Sequence, residues 1–233
     1  MEQDRDTQDV RARVLDAASR LIAEGGVAAL TTRAVASAAS VQAPTLYRLF
    51  GEKRGLLHAV AEHGLATFLA HKASAKLHPD PVQDLADAWD SYIGFGLANP
   101  AVFAIMNEIG STEVASPAAL AGLEMLRARV RRIAQAGRLG IPVERAVGLI
   151  HAAGVGTVAT LLVTPEEQRD PQLADVARGA VLSAILADAP GERDGDGIAP
   201  LAIALGARLG EAKAITPGER LLLTELLDRL SRE

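Results

Sequence analysis

The sequence predicts an all-α protein, with a small N-terminal three-helix head followed by a larger helical bundle. Three observations carry that prediction. Of the 233 residues, 45 are Ala and 31 are Leu, both strong helix formers. Apolar residues recur at three- and four-residue spacing, and no stretch alternates with the two-residue period of a half-buried strand. Pro100, Pro117 and Pro142 each fall near the start of a periodic stretch.

Composition removes several classes of function. There is no cysteine, so disulfide frameworks, cysteine-zinc sites and thiol catalysis are excluded. Hydrophobic residues make up 49% and charged residues 23%, which gives a core and argues against disorder. The first residues, MEQDRDTQDVRARV, lack the cationic start and apolar stretch of a signal peptide. The longest apolar run, 148–163, contains His151 and several glycines, and reads as a buried helix rather than a membrane span. A cytoplasmic location with no membrane partner is the resulting expectation. High Ala and Arg with four Lys point to a GC-rich bacterial genome. The net charge is −5, but it is unevenly spread. Residues 31–55 carry Arg33, Arg48, Lys53 and Arg54 against Glu52, a local +3, while residues 61–233 carry 16 basic and 22 acidic groups. A basic patch on an acidic body calls for a partner of its own.

Taken in order, Val10, Val14, Ala18, Leu21 and Ile22 mark one face of a helix over 8–24, which Gly25 and Gly26 stop. Thr31 caps a short helix over 31–38. Ser40, Val41 and Gln42 read as a turn. A third helix over 43–50 has Pro44 in its first turn, where a missing N–H costs nothing. A long helix follows over 53–76, with Leu56, Val60, Leu65 and Leu69 inward, and Pro79 and Pro81 end it. Further helices are expected at 82–97, 101–109, 117–137, 143–163 and 172–188. An acidic loop over 190–197 precedes two last helices, at 199–213 and 217–232. Thr216, Pro217 and Glu219 form a capping box at the start of the last one.

Two short helices joined by a tight turn and backed by a supporting helix have helix-turn-helix spacing. The second can enter a major groove while Val41, Leu46 and Phe50 hold its back against the first. Spacing alone is weak, because any two short helices satisfy it. The residues add more. Thr31, Val35, Ala36, Ala39, Val41, Leu46, Tyr47, Phe50, Lys53, Leu56 and Leu57 follow the DNA-binding pattern of the TetR family of transcriptional regulators, which residues 30–57 resemble. Two positions depart from that pattern. Ser40 stands where the family has its turn glycine, and Gln42 where it has the serine that caps the recognition helix.

The resemblance implies roles. Tyr47 and Lys53 would hold backbone phosphates, with Thr32 beside them. Arg33 would reach a guanine edge. Gln42, Ala43, Pro44, Thr45 and Arg48 would line the exposed face of the recognition helix, Gln42 reading adenine and Pro44 or Thr45 touching a thymine methyl. Arg48 and Arg54 also read as solvated surface charges, and Tyr47 as ordinary packing. The resemblance divides the chain into a DNA-binding head, 1–52, and a ligand-binding and dimerisation body, 53–233. It implies a two-fold homodimer on a palindromic operator of double-stranded DNA, released as a repressor by a small apolar effector. The dimer helices would be 143–163 and 172–188. The first is rich in small residues, Ala146, Gly148, Ala152, Ala153, Gly154, Gly156 and Ala159, which allow close helix approach or serve close packing inside one subunit.

For an effector site, the sparse large side chains stand out. Trp89, Tyr92, Phe95, Phe103 and Met106 lie close in sequence, with Phe68, Met125 and His151 to complete a lining and Asn107, Glu108 and His151 as polar groups. The plain alternative is a helical core. No metal or cofactor is implied. The spacing of His58, His63, His71 and His78 places no pair on one helix turn. The Asp194 and Asp196 stretch lacks the closing Glu of a calcium loop. An enzyme using His151 and Glu108, or a helical adaptor without DNA binding, are the rival readings; the expectation is a protein with no catalytic role.

Overall fold

A computed structural model describes residues 2–109, 116–187 and 198–232. Among these residues there are eleven α-helices and no strand; one isolated antiparallel bridge joins Leu139 and Leu186. The fold is all-α, as the composition predicts. The acidic loop at 190–197 lies outside the described residues. The chain forms two compact units, Met1–Ala75 with Phe95–Gly122, and Lys76–Gly94 with Leu123–Glu233. The expected functional boundary between 52 and 53 falls inside the first unit.

The first unit begins with α1, Glu2–Ala29. It starts six residues before the apolar periodicity, because a nucleated helix extends over polar residues at little cost. Its geometry breaks at Gly25 (φ −137°) and Gly26 (φ 66°), where the glycine pair was expected to stop it. Next come α2, Thr32–Ala38, α3, Ala43–Phe50, and α4, Lys53–Ala73. Val14, Ala18, Leu30, Val35 and Val60 are fully buried in a shared core, and Leu46 of α3 and Leu56 of α4 close it. Where α4 packs on α6, Pro100–Ile109, a smaller cluster forms from Ala61, Val102 and Ile105.

Two helices are divided between the units. The last four residues of α5, Pro81–Ala98, and the first six of α7, Pro117–Gln135, belong to the first unit. The remainder lies in the second, with α8, Val143–Val163, α9, Leu173–Ile185, α10, Ile198–Arg208, and α11, Pro217–Leu230. Val130, Ile133, Leu139, Val158 and Ile185 are its largest fully buried side chains. Asp84 is buried there too. Its carboxylate accepts from Arg132 Nη1 (2.9 Å) and from the His78 N–H (2.8 Å), so the charge is paired and hydrogen-bonded. The α10–α11 hairpin has its own core of Ala202, Leu209 and Leu227. Thr216 and Glu219 form the expected capping box at the start of α11.

Helix α8 departs from the sequence reading. It is long and apolar enough to cross a membrane by length and composition, since Val143, Ala146 and Val147 extend the apolar run. It is not buried all round either. Ala146, Val147, Ile150, Gly154, Thr157, Val158 and Leu161 face the core, while Gly148, Leu149, Ala152, Gly156, Thr160 and Val163 are exposed.

Candidate DNA interface

The head builds a helix-turn-helix from local rules. Thr31 Oγ1 accepts the Ala34 N–H at 3.1 Å and starts α2. The α2 end is closed by Ala39 N–H to Val35 O (2.9 Å) and Ser40 N–H to Ser37 O (3.2 Å). Ser40 then takes φ +54°, so the turn places a β-carbon in the left-handed region where the family pattern has glycine. The Val41 N–H bonds back to Ala36 O at 2.9 Å and fixes the angle at which α3 departs. Gln42 is extended and its side chain caps nothing, though its carbonyl accepts the Thr45 N–H at 2.9 Å. Pro44 sits in the first turn of α3, its ring pre-setting the helical φ.

One face of α3 is committed to the core through Leu46, with Val41 and Phe50 packed against the same cluster. The opposite face carries Pro44, Tyr47 and Arg48, all exposed or nearly so, with Gln42, Ala43 and Thr45 beside them at its start. Tyr47 is 57% exposed, so packing does not account for its ring. Arg33 and Thr32 lie at the start of α2. Lys53 and Arg54 are exposed in the first turn of α4, whose N-cap residue Glu52 makes no side-chain cap. The α3–α4 junction requires its glycine: a Cβ on Gly55 would collide with the Phe50 carbonyl.

Sequence reasoning missed one member of this region. Arg11 of α1 donates from Nη1 to Leu49 O at 3.2 Å, and its guanidinium carbon lies 4.7 Å from the Phe50 ring centroid. No local pattern announces it, because Leu49 is 38 residues away. His63 Nε2 meets Asp16 Oδ1 at 3.1 Å and ties α4 to α1 as well. Among the described residues no three His, Cys, Asp or Glu side chains gather as metal ligands.

The expected effector-lining residues fall into two groups. In the first unit, Phe68 and Phe95 stack with centroids 4.4 Å apart. Phe95 and Met106 pack on the Ala61, Val102 and Ile105 cluster, Phe103 is buried, and Asn107 is exposed. In the second unit, Trp89 is buried and donates its indole N–H to Ala174 O at 3.2 Å. A Cβ on Gly154 would lie 3.3 Å from the Tyr92 ring and 3.8 Å from Trp89, so the glycine lets α8 approach both aromatics. Burial pushes the Tyr92 phenol up to about 12. Met125 is partly buried on α7, and its carbonyl accepts from Arg129. His151 is exposed on α8; such desolvation as it has lowers its pKa. The side chain of Glu108 lies outside the described residues.

The geometry is that of a helix-turn-helix DNA-binding head. Residues 14–60 match the model of the bacterial regulatory proteins, tetR family. Solved structures share the fold over most of the chain. RolR in complex with resorcinol is 18% identical, with a TM-score of 0.63 over 91% of this chain and 97% of that one. A single-residue variant of TetR from Acinetobacter baumannii AYE, in complex with minocycline, is 25% identical, with a TM-score of 0.54 over 73% and 90%. SmeT, the repressor of the Stenotrophomonas maltophilia multidrug efflux pump SmeDEF, is 24% identical, with a TM-score of 0.53 over 82% and 98%. No curated protein matches the sequence. The head thus carries the tetR-family segment over residues 14–60, and the chain has the fold of solved tetR-family regulators.

Proposed function

We propose that this protein is a homodimeric repressor that binds a palindromic operator through α3 and leaves it when a small apolar effector binds the body. The observation that carries the reading is the division of α3: one face is spent on the core, and the other presents Pro44, Tyr47 and Arg48 beside the free start of α4. In this reading residues 1–52 recognise DNA, and 53–233 bind effector and dimerise in the cytoplasm. Tyr47, Lys53 and Thr32 hold phosphates. Arg33 and Gln42 read base edges, and Ala43, Pro44, Thr45 and Arg48 shape the contact surface. The exposed small-residue face of α8, together with α9, meets its two-fold copy. Phe68 with Phe95 in the first unit and, separately, Trp89 with Tyr92 in the second are the two candidate apolar surfaces for the effector. The solved complexes of RolR with resorcinol and of TetR with minocycline support a small-molecule effector, without naming it. Release follows if the effector favours the dimer state whose heads do not match the operator spacing.

Selection of bound duplexes from a random pool, with affinity measured at two salt concentrations, tests this. A two-fold symmetric motif with half-sites about one helical turn apart is the expected result. Absent enrichment or salt-insensitive binding overturns it. On the selected operator, Lys53→Ala weakens every sequence alike and lowers the salt slope by about one, whereas Arg33→Ala relaxes discrimination at one position. Equal losses on all sequences for both variants would remove that division of labour.

A further inference from the structure

Helix α3 is eight residues long, too short to hold itself in water, so its orientation depends on what grips its ends. Its start is weakly held: Ser40 has a positive φ and the Gln42 side chain makes no cap. Its end is held differently. Gly51 N–H bonds to Tyr47 O at 2.9 Å, and the Phe50 carbonyl faces the bare Cα of Gly55. The Leu49 carbonyl lies in the last turn, where helix carbonyls lack intrahelical donors, and Arg11 supplies one from α1 at 3.2 Å. The same guanidinium lies over the Phe50 ring at 4.7 Å.

We propose that Arg11 is a positioning residue for DNA recognition: it clamps the last turn of α3 to α1 and so fixes the rotation that presents Tyr47 and Arg48. The proposal rests on the reading of α3 as the recognition helix. Three physical features suit arginine to this place. A cation at a helix C-terminus is favoured by the macrodipole. The planar guanidinium stacks on an aromatic face while its fork still donates in plane. The two partners, Leu49 O and Phe50, are consecutive, so one side chain restrains both the axial and the rotational position of the helix end. Tyr47 and Arg48 precede them directly in the same turn, so a twist at the end moves the groove-facing side chains with it.

The test uses the full-length protein, with Arg11→Ala, Arg11→Lys, Phe50→Leu and the double variant Arg11→Ala/Phe50→Leu. In the free protein, amide exchange at Gly51 reports the last turn of α3 without DNA. Arg11→Ala and Arg11→Lys should both speed it, since lysine keeps the charge but loses the planar fork. On the selected operator, Arg11→Ala should weaken binding about tenfold, leave random-sequence binding and the salt slope unchanged, and lose less than additively when combined with Phe50→Leu. Circular dichroism confirms that the variants keep their helical content. Three results overturn the proposal. A salt slope lowered by about one, with equal loss on random DNA, makes Arg11 a phosphate contact. Full rescue by Arg11→Lys makes it a simple charge. Unchanged Gly51 exchange shows that the core holds α3 unaided. If the wild-type protein selects no operator, the DNA reading fails, while the exchange result still decides whether Arg11 holds the helix.

Discussion

Helices α4 and α8 are both 21 residues long, and the contrast between them separates the two regions of the molecule. In α4, polar groups such as His58, Glu62 and His63 interrupt the apolar positions, and spacing gives Leu56, Val60 and Leu65 of the buried set, missing Ala61 and adding Leu69, which is only partly buried. The head around it closes its core with its own residues. In α8, nearly every residue from Ala146 to Val163 is apolar or small, so composition does not say which side faces inward. Only one side does, and the other leaves Leu149 43% and Val163 81% exposed. A helix with a polar face declares its orientation; a helix without one leaves a surface whose use must be found by experiment.

The largest effect that would sharpen this contrast is expected on the inward side of α8. Trp89 packs beside Gly154 and bonds to Ala174, so Trp89→Ala should cost about 3–5 kcal/mol in denaturant unfolding. A loss below about 1 kcal/mol would mean that the aromatic pair lines open space rather than core. On the outward side, Ala152→Glu tests whether a second copy covers α8. The protomer should keep its stability within about 0.5 kcal/mol while the dimer dissociation constant rises at least roughly a hundredfold, which is about 3 kcal/mol. Sedimentation showing an unchanged dimer would remove α8 from the interface.

In the head, the expected change is smaller and of opposite sign. Ser40 is exposed with φ +54°, so Ser40→Gly should stabilise the protein by up to about 1 kcal/mol and leave the oligomeric state alone. A destabilised variant would show that the Ser40 side chain supports the turn.

The smallest effect concerns pH. Desolvation lowers the His151 pKa below 6.5 in the folded chain, so the folded state disfavours the charged imidazole. Any stability linked to this group is present above the unfolded value and lost as pH falls through it towards the lower folded value. A proton NMR titration should place the His151 midpoint below 6.5, and lower again in the dimer if α8 is covered. A midpoint that does not change when the wild-type protein is diluted from dimer to protomer would argue that His151 stays in water in both.

Much of the fold was legible in the sequence because its signals are local. Helix boundaries at Thr31, Pro44, Pro117, Val143 and Thr216 follow from caps and prolines that act within one turn. The exposed face of α3 follows likewise from Leu46 and Phe50 being apolar while Tyr47 and Arg48 are polar. Tertiary structure decided what depends on distant partners. Only the folded chain brings Arg11 to Leu49 and Phe50, buries Asp84 under Arg132, and sets Tyr92 against Gly154. It also divided the expected effector lining into Phe68 with Phe95 in one unit and Trp89 with Tyr92 in the other. An apolar residue declares that it will be buried, but the neighbour it is buried against is chosen by helix packing, which no spacing along the chain encodes.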